Sequence, residues 1–301
     1  MSEKLVTRAL STNAYTLQNG TGASYINPIL WVKEIGKFKQ AALVVTPLAK
    51  VYNDLLGQAG TTLNVQFNAE LTAAALTETT AITPNSFGYT QVQFSPSEVG
   101  LAVALTRKER IRSINDIMSE KSADMGYALA KYQDADAIST CIAGASTAVV
   151  ANEVAVSAIA SSDTMTTDSI ADAITALRKN NHNAKYMVIH PNQENSLIKL
   201  AQFIDASVYG GREAVMNGEI GKYLGVRILV TTQIPVNATT STAYDALVLD
   251  DNAFGLANKM NVRFDADYKN LEREFVLAAV EEYDFEVLRG KGIATVTSYG
   301  G

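Results

Sequence analysis

The chain has 301 residues, 47% of them hydrophobic and 19% charged, with a formal net charge of −6 and a single cysteine, Cys141. Against a norm of roughly 25% charged residues this is apolar for a soluble protein and suits subunit interfaces, while the negative charge argues against a dedicated nucleic-acid binder. One cysteine excludes an intrachain disulfide or a thiolate metal cluster, and no apolar run approaches the length of a membrane span. Met1-Ser-Glu-Lys-Leu5 lacks the apolar stretch of a signal peptide, so folding in a reducing cytoplasm is expected, and the length allows about two domains with a real core.

The first thirty residues are polar, with Asn19-Gly20-Thr21-Gly22 as a turn-rich joint, and read as an arm extending to about residue 55. Residues 1–50 carry Lys4, Arg8, Lys33, Lys37, Lys39 and Lys50 against only Glu3 and Glu34, so the acidic excess lies in the body. A basic arm suits a neighbour's acidic surface or a polyanion, although lysines that merely keep a terminus soluble give the same pattern. Ile29 to Leu56 has mixed helical spacing interrupted by Pro47.

From Val51 through Thr106 there is no lysine or arginine, yet Asp54, Glu70, Glu78 and Glu98 are present. Leu63-Asn-Val65-Gln-Phe67-Asn68 and Thr90-Gln-Val92-Gln-Phe94 alternate apolar with polar and predict two half-buried strands of a hairpin. The connection between them is too long for a self-contained domain, and a two-stranded arm is marginal alone, so its folding is expected to finish on another subunit. Val99 to Leu105 predicts the next strand, and Arg107, Lys108, Arg110 and Arg112 follow it.

A long helix is predicted over about Ile114 to Ala143, with Met118, Met125, Leu129 and Tyr132 on one face and Ile117, Ala128, Ala135, Ile138 and Ile142 on a neighbouring one. The four cations precede it, where the helix dipole disfavours positive charge, so something acidic is expected to meet them. Ala148 to Ala158 reads as strand. Thr166-Thr167-Asp168 caps a helix with the stripe Ile170, Ile174 and Leu177, Lys185 to His190 is a buried strand, and Pro191 opens a helix through Phe203. The glycine-rich stretch from Tyr209 to Gly225 reads as a loop. Val226 to Thr231, Ala246 to Leu249 and several segments from Arg263 onward predict strands, among them Tyr283, Phe285 and Val287 alternating with Glu282, Asp284 and Glu286.

Nothing in this pattern carries catalytic chemistry. His190 lacks a G-x-S-x-G or H-E-x-x-H context and reads as a core or capping histidine, and His182 as a turn residue. Cys141, near the C-terminal end of the long helix, reads as a small buried hydrophobe. Glu282, Asp284 and Glu286 share a strand face, a solvated face sooner than a cation site, and Asp134 and Asp136 are spaced so that they do not face each other. Gly290 and Gly292 sit in a strand-turn-strand context without the helix N-terminus that cradles phosphate. No cofactor and no metal are expected.

Taken in order, these pieces resemble the major capsid protein of tailed bacteriophages, the Hong Kong ninety-seven fold that encapsulins share. The resemblance rests on Gly60-Thr-Thr-Leu-Asn-Val-Gln-Phe67, Leu76-Thr-Glu78, Ala81-Ile-Thr-Pro84 and Pro96-Ser-Glu98-Val-Gly100. Met187-Val-Ile-His-Pro191, Gly221-Lys-Tyr-Leu-Gly225-Val-Arg-Ile-Leu-Val230 and Gln233-Ile-Pro235 form a second patch. It implies an α+β capsid fold in five parts: an N-terminal arm (1–55), an extended loop with its following strand (56–106), a peripheral domain with a spine helix (107–162), an axial domain (163–258) and C-terminal strands returning to the peripheral domain (259–301).

The extended loop would bring Leu63, Val65, Phe67, Glu70, Leu76, Glu78 and Ile82 to a neighbour, and a loop with Tyr209, Arg212, Glu213, Glu219 and Lys222 would meet its copies at the capsomer centre. Lys33, Lys37, Lys39 and Lys50 would form a basic arm. The implied product is an icosahedral head shell of hexamers and pentamers around double-stranded DNA held without sequence specificity, assembled in the host cytoplasm, with portal, decoration and scaffolding proteins as separate partners. The extended loop contains no lysine, so the isopeptide cross-link of some relatives is not expected, and no long helical scaffold segment is present. Two other readings stand beside this one: an encapsulin-like compartment, and a small soluble α/β hydrolase or lyase using His190.

Overall fold

The computed structural model describes residues 43–68, 71, 73, 75, 78, 88–112, 117–199 and 222–300. All belong to one unit, Gln40–Gly301; the unit Met1–Lys39, and with it most of the expected arm, lies outside them.

In chain order, a 3-10 turn at Thr46–Leu48 leads to β1 (Lys50–Tyr52), the ladder of β2 (Leu63–Asn68) with β3 (Tyr89–Phe94), and β4 (Ser97–Thr106). A short helix α1 (Arg107–Arg112) precedes the long α2 (Ile117–Ala143). Then follow β5 (Thr147–Val150), α3 (Thr167–Lys179), β6 (Ala184–Ile189), α4 (Pro191–Ile198), β7 (Lys222–Tyr223), β8 (Val226–Val230) and β9 (Ala243–Asp250). The chain ends with β10 (Phe254–Lys269), β11 (Glu274–Val287) and β12 (Ile293–Tyr299). The α+β expectation holds.

Two sheets organise these elements. One has the order β1-β10-β11-β4, the other β5-β12-β9-β6-β8-β7, and among the described residues β2 and β3 pair only with each other. Period-two patterning explains β11: Leu277, Ala279, Glu281, Tyr283 and Phe285 are buried on one face, while the intervening residues are half-exposed. Helix α3 shows the 3.6-residue counterpart. Thr166 accepts the Ser169 N–H, Ser169 returns a side-chain bond to the cap, and Arg178 and Lys179 lie at the C-terminal end, where the dipole favours cations. Its stripe Ile170, Ile174 and Leu177 packs on Met187, Ile189, Val248 and Val296 of the six-stranded sheet. Each such side chain, fully buried, contributes roughly 1.5–3 kcal/mol.

Helix α2 meets two clusters in succession. Met125 and Leu129 pack with Leu105, Leu277 and Ala279. About two turns further on, Ala137, Ile138 and Cys141 pack with Leu249 and Ile293 of one sheet and Phe254 and Phe285 of the other. The helix therefore is the shared element of the two sheets, although Ala128 and Tyr132, expected on its packed faces, are exposed.

Several boundaries differ from the sequence reading. The predicted strand over Ala148 to Ala158 ends at Val150 and gives way to two 3-10 turns. Asn152 explains this: its φ is 56°, a left-handed value that Asn tolerates, and its side-chain amide donates to Asp163 Oδ1 at 2.9 Å. The segment 259–301, expected to return as one block, is shared: β10 and β11 lie in the four-stranded sheet and β12 between β5 and β9 in the six-stranded one. Lys50, expected on a free arm, stands in β1, paired in parallel with β10 and with its ammonium 5.1 Å from the Tyr52 ring centre. Phe203, where the helix after Pro191 was expected to end, lies outside the described residues.

Candidate assembly surfaces

The β2–β3 ladder has two unlike faces because its register pairs Leu63 with Phe94, Val65 with Val92 and Gln66 with Gln91. Leu63, Val65 and Phe67 turn inward and pack with Val92 on a cluster of Phe94, Ala257 and Leu288. The opposite face presents Asn64, Gln66, Asn68, Gln91, Gln93 and Tyr89, all exposed and none charged. Thus three of the expected contact residues anchor the hairpin to its own chain, and the opposite side of the ladder is an amide surface whose strand edges are unpaired among the described residues. Glu78 is exposed; Glu70, Leu76 and Ile82 lie outside the described residues.

The basic cluster is built on α1, whose capping Glu109 accepts the Thr106 N–H at 3.0 Å and the Thr106 hydroxyl at 2.9 Å. Those two bonds hold the Glu109 carboxyl below its usual range. Arg110 lies 4.7 Å over the Phe275 ring, and the Arg107 N–H donates to the Arg273 carbonyl at 2.9 Å. Arg107, Arg110, Ile111, Tyr268 and Phe275 line a cavity of about 410 Å³, which an adjoining one of about 700 Å³ extends past Lys108, Leu271 and Arg273. Among the described residues no carboxylate reaches ion-pair distance of Arg107, Lys108, Arg110 or Arg273. The acidic partner expected for these cations is thus not supplied by the described chain. The Arg112 side chain is not described.

Carboxylates gather at the other end of β11. Glu98 of β4 stands directly opposite Glu282, which Lys259 holds at 3.2 Å, and Asp284 accepts the Ser95 N–H at 2.6 Å. Burial and then the Asp284 charge push the Asp136 and Glu286 carboxyls upward. Among the described residues no group of His, Cys, Asp or Glu is placed to hold a metal ion.

Sequence reasoning missed two buried polar groups here. Asp134 is fully buried on α2 and collects N–H bonds from the 3-10 turn. Glu281, 5% exposed, faces the helix among Leu277, Ala279 and Tyr283; one carboxylate oxygen and the Tyr283 hydroxyl have no hydrogen-bond partner among the described residues. Burial pushes the Glu281 carboxyl and the Tyr283 phenol upward. The alternation of β11 already contained this signal, since Glu281 shares the odd-numbered face of its apolar neighbours.

His190 is a capping residue. Its Nδ1 accepts the Asn192 N–H at 3.2 Å, its backbone N–H donates to Gln193, and its ring stacks 4.0 Å from Tyr244. Burial lowers its pKa. His182 holds Asp250, the last residue of β9, at 2.7 Å, and Cys141 is fully buried with its thiol pushed up by desolvation. None of the three faces a cavity described above, and among the described residues no helix is long and apolar enough to cross a membrane. Of the expected capsomer-centre residues, Tyr209, Arg212, Glu213 and Glu219 lie outside the described residues, and Lys222 begins β7.

The phage capsid protein family is matched over residues 88–285. The chain belongs to this family and has the role of a major capsid shell protein, a structural component of the bacteriophage virion. Among solved structures it is similar to the capsid of cyanophage P-SCSP1u, with 17% identity, a TM-score of 0.74, and 94% of this chain and 96% of that chain covered. The capsid of cyanophage Pam1 aligns at 12% identity and TM-score 0.75, with 92% and 97% covered. The capsid of a native GTA particle aligns at 15% identity and TM-score 0.71, with 93% and 97% covered. Among curated proteins none matches.

Proposed function

We propose that this chain builds an icosahedral head shell by heterologous contacts that close into hexamers and pentamers around packaged double-stranded DNA, and that it carries no catalytic activity of its own. The observation that carries the assembly step is the β2–β3 ladder, a hairpin that among the described residues pairs with no other strand and leaves one uncharged amide face and two strand edges uncovered. A neighbouring subunit completes it through the long connection 69–87, with Glu70, Leu76, Glu78 and Ile82 as contacts.

In this reading the four-stranded sheet with α2 is the peripheral domain, and the six-stranded sheet with α3 and α4 is the axial domain, whose loop from Tyr209 to Lys222 meets its copies at the capsomer centre. Lys33, Lys37 and Lys39 face acidic neighbours or the genome, while scaffold, portal and decoration functions reside in separate proteins. Assembly takes place in the host cytoplasm. The capping geometry of His190 disfavours the hydrolase alternative, because the Nδ1 lone pair a base needs is already engaged.

Deleting residues 69–84 tests the loop: capsomers or aggregates are expected in place of shells under electron microscopy, and normal shells would refute its role. Reversing Lys33, Lys37 and Lys39 to glutamate is expected to lower particle yield or DNA content. Particles that hold protein cargo and no nucleic acid, read from the 260/280 nm absorbance ratio, would favour a compartment over a virion.

A further inference from the structure

Among the described residues, two charged surfaces of opposite sign remain uncompensated, and they lie at opposite ends of one strand. Phe275, the floor of the basic hollow, and Asp284, the centre of the acidic strip, are nine residues apart on β11. At about 3.3 Å per residue they are separated by roughly 30 Å, far beyond the reach of any side chain. Within one subunit the hollow and the strip therefore cannot neutralise each other.

We propose that the basic hollow of one subunit receives the acidic strip Glu98, Asp284 and Glu286 of a second copy, forming a head-to-tail contact. This inference rests on the shell-subunit reading and names a specific pair of surfaces within it.

Each side has its own observation. In the hollow, Arg107, Lys108, Arg110 and Arg273 have no carboxylate partner among the described residues, and three nearby acids are engaged: Glu109 caps Thr106, while Glu272 and Glu274 hold Lys269 at 3.2 and 3.4 Å. The stacking of Arg110 on Phe275 fixes one guanidinium before any partner arrives, which lowers the entropy cost of binding. Apolar surface surrounds the charge, with Ile111 71% and Leu271 98% exposed. That mixture, exposed aliphatic side chains beside lone arginines, matches a protein surface better than a phosphate backbone.

On the strip, Lys259 engages Glu282 alone, so Glu98 and Glu286 have no cation partner among the described residues, and Asp284 has only a backbone N–H. Crowding of like charge around Asp284 is relieved when an arginine from outside approaches. A contact joining opposite ends of the same strand is heterologous, and such contacts close into rings or run on as filaments.

The test uses the full chain. Reversing the hollow (Lys108→Glu with Arg110→Glu) or the strip (Asp284→Lys with Glu286→Lys) is expected to cut the yield of rings and particles at least tenfold, read by sedimentation velocity and electron microscopy. The chain carrying both reversals restores the complementarity and is expected to recover to within about threefold of the unmodified protein. Thermal unfolding establishes that each variant is folded; should a reversal fail to fold, Arg110→Gln and Glu286→Gln are expected to lower the yield at least threefold.

Unchanged assembly in the single-surface reversals overturns the proposal. So does a folded double reversal that stays unassembled, or rescue of the hollow reversal by Glu70→Lys with Glu78→Lys, which would seat the extended loop there instead. If the unmodified chain makes no higher assembly by itself or with the other head proteins, the shell-subunit reading fails and the pairing with it.

Discussion

The buried carboxylate of Asp134 accepts the backbone N–H of Val45 at 2.8 Å across 89 residues of sequence. The same oxygen takes the Thr46 N–H at 2.8 Å and the Thr46 hydroxyl at 3.1 Å, so one side chain of α2 fixes the turn through which the chain enters the body. Charge-assisted bonds of this kind are about twice as strong as neutral ones, and losing them strands two N–H donors. Asp134→Ala is expected to lower unfolding free energy by about 2–4 kcal/mol in a denaturant titration, with faster amide exchange at Val45 and Thr46. A loss under about 0.5 kcal/mol would show that water replaces the carboxylate without penalty.

His190 gives a pH signature without catalysis. Its Nδ1 must be unprotonated to accept the Asn192 N–H, and its folded pKa lies below the ordinary 6.5. The unfolded chain therefore binds the proton more readily. Stability is complete above pH 6.5 and is lost as pH falls through the window between 6.5 and the lower folded value. Asn at this position keeps a capping oxygen and does not titrate, so melting temperature in His190→Asn is expected to depend less on pH across that window. His190→Ala is expected to cost about 1 kcal/mol. Equal pH profiles for His190→Asn and the unmodified chain would remove the cap from the account.

How much was legible in the sequence follows the kind of force involved. Strand alternation in Leu63 to Asn68 and Tyr283 to Val287, and the capped stripe of α3, are local patterns, and the structure places them close to where they were expected. What the pattern could not carry was sidedness. Leu63, Val65 and Phe67 look like an offered apolar face until Ala257 and Leu288 join Phe94 beneath them, and those two contacts come from more than a hundred residues away. The basic hollow was visible as four cations, but its Phe275 floor and Arg273 neighbour come from the far end of a hairpin. Likewise β12 lies between β5, in parallel, and β9, antiparallel, a placement that no periodicity within β12 reveals.

Glu281 is a buried carboxyl with an oxygen that lacks a partner among the described residues, and burial raises its pKa above the ordinary 4.5. The folded state binds the proton more tightly, so its contribution to stability is fully present below pH 4.5 and is lost as pH rises through the higher folded value. Glu281→Met, of similar length and apolar, is expected to stabilise the chain by about 1–3 kcal/mol near pH 7 and by less near pH 4. A variant destabilised at both pH values would mean that the carboxyl finds a donor in the folded chain.

The β7–β8 connection stores strain that a substitution should release. Tyr223 pairs with Val226, leaving Leu224 and Gly225 as a two-residue turn with φ of 49° and 86°. Both values are those of a type I′ turn, in which Gly is free and Asn is tolerated but a branched-chain side chain meets its own carbonyl. Leu224 is also 49% exposed, so little packing offsets the strain. Leu224→Asn is expected to raise unfolding free energy by about 1 kcal/mol and the melting temperature with it. If the same variant melts higher yet forms fewer rings, the leucine is held in a strained conformation for a contact with a second copy; if it melts lower, the turn relaxes in solution and the strain is not there to release.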